Sequence, residues 1–176
     1  NGGAIYACSS LNDAIDSNGK KGITINGGVV VAIGGNGAEC AFDCDNAPLT
    51  INGGYLLGFG GSNYTAPSNS GKQMTMVLGG TSAGSANTSF AVVDSKNKPV
   101  FVYTLPAATG DVFILSSPVL KTGTSYSVKS GVTVKTGSAN RFHNLYITMP
   151  TISGGTESLS GISTTGSSTV YTDSNA

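Results

Sequence analysis

The chain has 176 residues, no net charge at neutral pH, and only 10% charged side chains, against roughly a quarter in ordinary domains. No basic run or stripe is available to neutralise phosphates, which excludes general nucleic-acid binding, and no apolar run is long enough to span a membrane. A 39% hydrophobic share with 26 glycines excludes disorder and points to one all-β domain rich in tight turns.

The first elements repeat. Asn1-Gly2-Gly3, Asn26-Gly27-Gly28 and Asn52-Gly53-Gly54 are each followed by an apolar run: Ala4-Ile5-Tyr6-Ala7-Cys8, Val29-Val30-Val31-Ala32-Ile33 and Tyr55-Leu56-Leu57-Gly58-Phe59. Ile23-Thr24-Ile25 aligns with Leu49-Thr50-Ile51 in the same way. A repeat of about 25 residues in a Gly-rich, β-type chain predicts a solenoid with one copy per turn. Asn-Gly-Gly suits a corner that needs positive φ. Further corners at 33–37 and 45–48 give three strands per turn. Residues 1–61 are therefore expected to form a parallel β-helix.

A polar surface loop is expected over 62–73. Apolar runs at 74–78, 90–93, 100–105, 112–115, 126–128, 132–134 and 145–148 predict antiparallel strands. Turns at 94–99 and at Lys121-Thr122-Gly123-Thr124 separate some of them. These strands, over 74–152, are expected to cap the open end of the solenoid. Residues 153–176, rich in Ser, Thr and Gly, read as a tail or a closing strand around 168–171. The chain opens on Asn1, the first residue of a triplet, and so reads as a processed piece with earlier repeats and an export signal upstream. Cys8, Cys40 and Cys44 are odd in number and lack the companions of a zinc site, so they read as buried thiols.

One constellation could carry chemistry. Aligning Ala14-Ile15-Asp16-Ser17-Asn18 with Ala41-Phe42-Asp43-Cys44-Asp45 places Asp16 over Asp43 and Asn18 over Asp45. Residues i and i+2 of a strand share a face. With Ile15 and Phe42 inward, the four oxygen-bearing side chains line one outer face, with Asp13 and Glu39 close by. Carboxylates stacked about 5 Å apart repel unless a cation or donor compensates. An oxygen ring suits Ca²⁺, which takes about six to eight such ligands. Solvated turn residues, or an Asn/Asp ladder hydrogen-bonded along the stack, are the alternative. Lys20 and Lys21 are placed to meet the carboxylate of an acidic sugar, or else are ordinary surface lysines. Tyr6, Tyr55, Phe59 and Tyr64 offer stacking surfaces in a chain without Trp. His143 and Arg141, each the only residue of its kind, lack a triad companion and read as structural.

Several strings match a known family in order. They include Asp13-Ala14-Ile15-Asp16-Ser17-Asn18-Gly19, Gly34-Gly35-Asn36-Gly37-Ala38, Ala66-Pro67-Ser68, Val92-Val93-Asp94-Ser95 and Ile114-Leu115-Ser116-Ser117-Pro118. Together they resemble the secreted carbohydrate-binding β-helix proteins of gut and cellulose-degrading bacteria. That resemblance implies a right-handed parallel β-helix similar to pectate lyases. It also implies bound calcium, an extracellular or cell-surface location, and binding of acidic plant cell-wall polysaccharide without cleavage. The family's acidic motif falls on Asp13, Asp16, Asn18, Asp43 and Asp45. Glu39-Cys40 departs from its usual apolar or small pair, and Cys44 stands where an aromatic is common.

The expected function is thus non-catalytic, calcium-assisted binding of an acidic polysaccharide, with Lys20, Lys21, Tyr6 and Tyr55 toward the ligand. A calcium-dependent polysaccharide lyase, with Lys20 or Lys21 as base, is the enzymatic alternative. A surface adhesin or structural spacer is the third reading.

Overall fold

The computed structural model describes residues 2–35, 37–61, 68–79, 84–106, 112–135, 140–164 and 169–171. Asn1, Asn36, residues 62–67 of the expected loop with Tyr64, and residues 165–168 and 172–176 of the expected tail lie outside them.

Strands β1 (Ala4–Cys8), β4 (Val29–Ile33) and β7 (Tyr55–Gly60) lie side by side in parallel, with Ala4 against Val29 and Val29 against Tyr55. Two shorter parallel pairs accompany them: β2 (Ile15–Asp16) with β5 (Phe42–Asp43), and β3 (Ile23–Ile25) with β6 (Leu49–Ile51). Glycine at the corners allows this close approach. Gly54 sits at φ +97°, and a Cβ there would lie 2.7 Å from the carbonyl oxygen of Gly28. Neither that φ nor that distance suits a side chain.

The expected right-handed parallel β-helix with an antiparallel cap does not form. The free edge of β7 is taken by β11 (Val112–Ser116), which runs antiparallel to it within the same sheet. β11 pairs in turn with antiparallel β8 (Thr75–Gly79), and β8 with parallel β16 (Thr169–Tyr171). The result is a mixed six-stranded sheet of order β1-β4-β7-β11-β8-β16. The strands expected as a cap are therefore divided. Two of them extend the first sheet, and the others build β9 (Ser89–Asp94), β10 (Pro99–Thr104), β12 (Ser125–Lys135), β13 (Arg141–Phe142) and β14 (Leu145–Tyr146) of a second six-stranded sheet, which β15 (Thr151–Ser163), largely within the expected tail, completes. Its order is β13-β14-β10-β9-β12-β15, antiparallel throughout. The runs at 126–128 and 132–134 are one strand, β12, whose register shifts near Gly131 at φ +66°.

The main core lies between the two large sheets. Val31, Leu57, Phe59 and Phe113 of the first meet Phe90, Phe101, Tyr103 and Leu145 of the second. Phe59 and Phe113 stack at 5.1 Å between centroids, and Phe90 meets Phe113 edge-on at 5.8 Å. A second cluster covers the opposite face of the first sheet, where Val30, Leu56, Val77 and Ile114 pack on Phe42, Leu49 and Ile51. Both faces of that sheet are covered over β4, β7, β11 and β8, which explains why these strands read as unbroken apolar runs. Each fully buried Leu or Phe contributes about 1.5–3 kcal/mol. Among the described residues, no helix is long and apolar enough to cross a membrane.

Candidate functional site

The residues singled out in sequence fall into three separate places. The first is the acidic face. β2 and β5 set Ile15 against Phe42 and Asp16 against Asp43, while Phe42 and Cys44 are buried. Three of the acidic side chains there accept hydrogen bonds from the protein's own groups. Asp13 Oδ1 accepts from the Cys40 amide at 2.7 Å and from its Sγ at 3.0 Å. Asp16 Oδ2 accepts from the Asn18 side-chain amide at 2.9 Å, and Asp43 Oδ1 from the Asp45 amide at 2.9 Å. Among the described residues, no three His, Cys, Asp or Glu side chains gather closely enough to hold a metal. A hard ion needs several converging oxygens, and the carboxylate oxygens named here accept from the protein's own donors. Burial pushes the Cys44 thiol up, and Asp43, Asp16 and Asp45 add to the rise, against a lowering main-chain hydrogen bond with Ile23. The thiol therefore stays protonated at neutral pH.

Asn18, Lys20 and Asp45 do share a cleft of about 330 Å³, with Gly19, Cys44, Asn46 and Ala47 completing its wall. Lys21 is not part of that wall.

The second place is Tyr6. Its ring stacks on His143 at 3.7 Å between centroids and 3° between planes. His143 is offered by the tight turn between β13 and β14, where His143 and Asn144 both take positive φ. One face of Tyr6 is thus already covered, and the stack ties the two large sheets together.

Tyr55 marks the third place, which contains residues that the sequence reading did not single out. Tyr55 lines a depression of about 420 Å³ with Val119, Tyr126, Met149, Lys98 and Lys121. This depression shares Lys98, Pro99 and Met149 with a neighbour of about 300 Å³. It shares Lys121 with another of about 290 Å³, lined by Asn52, Lys72 and Gln73. The three adjoin through these shared residues and together form a trough region carrying three lysines.

Local hydrogen bonds position each lysine. In the β9–β10 turn, Asp94 Oδ1 accepts from the Lys96 and Lys98 amides, both at 2.9 Å. The Lys121 amide donates to Tyr126 Oη at 2.8 Å, while its Nζ donates to the Pro118 carbonyl at 3.0 Å. The Lys72 amide donates to Asn52 Oδ1 at 3.3 Å. Among the described residues, no carboxylate forms an ion pair with Lys72, Lys98 or Lys121. With Asp94 the one carboxylate in the lining, three ammonium groups beside apolar and aromatic surface leave a net positive charge that can hold an anionic ligand.

No family model, no curated protein and no solved structure matches the chain.

Proposed function

We propose that the protein is a non-catalytic binding module for a linear acidic polysaccharide, which lies along the trough of Lys72, Lys121 and Lys98. The observation that carries this reading is three adjoining depressions that share lining residues and hold three lysines without ion-pair partners among the described residues. An open, elongated depression suits a polymer better than a small metabolite, which would be enclosed. Tyr55, Val119 and Met149 offer apolar surface for the faces of sugar rings. The ammonium groups meet carboxylates or sulfates. Such polymers are met outside cells, so the module acts at or beyond the cell surface. Calcium is not part of this mechanism.

Each solvent-exposed ion pair is worth about 0.2–1 kcal/mol. Affinity therefore comes from several contacts made at once and falls with salt. The test is affinity electrophoresis of the protein through gels containing polygalacturonate or a sulfated glycan, with and without chelator. Retardation is expected, unchanged by chelator, weakened by salt, and reduced about tenfold in affinity by Lys98→Ala with Lys121→Ala. Lys20→Ala should bind like wild type. Loss of binding in Lys20→Ala alone would move the site to the Asn18–Asp45 cleft, and no retardation by any acidic polymer would end the proposal. Release of unsaturated uronate, seen by ultraviolet absorbance, would make the protein a lyase instead.

A further inference from the structure

The two ends of the trough differ in chemistry. At one end, the depression of about 290 Å³ is lined by Asn52, Lys72, Gln73, Lys121 and Thr122, and no described carboxylate lines it. At the other end, the depression of about 300 Å³ is walled by Pro99, Met149, Pro150 and Ile152, with Lys98 the one charged residue described there. Lys98 shares its turn with Asp94, whose Oδ1 accepts the Lys98 amide and which lines the central depression. Positive charge is therefore concentrated at Lys72 and Lys121, while Lys98 and Asp94 leave the far end close to neutral.

The far end is apolar for a structural reason. Ala91, Val93 and Val102, on the outer face of the second sheet, are buried with Val132 and Tyr146. Met149 and Ile152 pack against that cluster but stay only half-buried, so they carry its apolar surface into the trough. Pro99 and Pro150 fix their own φ, and Pro150 restricts Met149 to extended backbone. The wall is thus formed before any ligand arrives, which lowers the cost of binding. The unbranched thioether of Met149 adapts to small apolar groups. A uniformly charged polymer suits the Lys72 end and mismatches this one. Its carboxylates there would lose water against an apolar wall and meet Asp94 as well as Lys98.

Resting on the polysaccharide reading above, we infer that the trough selects an acidic heteropolysaccharide in which an anionic sugar alternates with a neutral sugar bearing a methyl group, from a 6-deoxy carbon or an O-acetyl ester. The anionic sugar lies at Lys72 and Lys121, and the methyl group rests on Pro99, Met149 and Ile152. Asn97 and Thr151 line the same depression and offer polar groups to the neutral sugar's hydroxyls.

Isothermal titration calorimetry of the full chain tests this with oligomers of galacturonate alternating with a neutral hexose. The hexose is unmodified, O-acetylated or 6-deoxy, at equal length and charge. At least one methyl-bearing form should bind about four times tighter than the unmodified one, the worth of one buried methyl group. An advantage in one form alone names the source of the methyl group, and an advantage in both assigns it to the methyl itself. Met149→Gln and Ile152→Thr should each bring the ratio close to one. Lys72→Ala should weaken all three oligomers and leave the ratio standing. If the unmodified oligomer binds and neither methyl-bearing form gains, the inference falls and the polysaccharide reading stands. A ratio that survives both apolar substitutions has the same meaning. Failure of all three to bind ends the inference, and polygalacturonate and the sulfated glycan then decide whether the broader reading goes with it.

Discussion

Asp13 holds Cys40 through one carboxylate oxygen, Oδ1, which accepts both the main-chain N–H and the thiol of that residue. The contact links the segment entering β2 with the segment entering β5, so a side chain read in sequence as a cation ligand serves as a strut. Hydrogen bonds to a charged group are worth about 1.5–3 kcal/mol. Asp13→Ala is therefore expected to lower unfolding free energy by about that much in urea melts, at unchanged m-value. A variant as stable as wild type would show that the strut contributes nothing.

Gly54 occupies a backbone conformation that L side chains rarely adopt, and its Cβ position is filled by Gly28 O. Gly54→Ala should cost about 1–3 kcal/mol through strain and displacement of the corner. Gly123, also at positive φ but with open space around it, is the control. Gly123→Ala should cost less, and thermal melts of the pair would expose any failure of this order.

Stability should fall in alkali. Burial, with smaller effects of Tyr6 and Cys8, holds the Tyr103 phenol well above its ordinary value of 10.0. The folded state then keeps a proton that the unfolded state loses, so unfolding free energy drops as pH rises past the unfolded value. The contribution is fully present below about pH 9 and declines above about pH 10. Tyr103→Phe removes the ionisation and should flatten that limb, read as urea midpoints across the range. An equal slope in the variant would assign the loss to other groups.

How much could be read from residues alone differs between the parts of the molecule. The pairing of Ala4 with Val29, of Val29 with Tyr55, and of Asp16 with Asp43 follows from aligned strings because like side chains stack in parallel register. The partner of β7 on its other side was not legible. Val112–Ser116 arrives from far downstream and repeats nothing in Tyr55–Gly60. Apolar runs between 74 and 148 announced strands but not which sheet each would join, since runs buried on both faces look alike. The trough was hidden for a related reason. Lys72, Lys98 and Lys121 sit in three turns that only tertiary structure brings together. Asp13 was visible as an acid, but its hold on Cys40 depends on the approach of two distant loops.

The antiparallel closure of β7 by β11 also sets a timetable. While the chain is being made, the far edge of β7 has no partner until residues 112–116 have left the ribosome, so three apolar parallel strands wait with an open side. Closing so long a loop before its contacts reward it favours folding on the millisecond-to-second scale of non-local β topologies rather than in microseconds. A nascent chain arrested before Val112 should be the form most prone to chaperone capture.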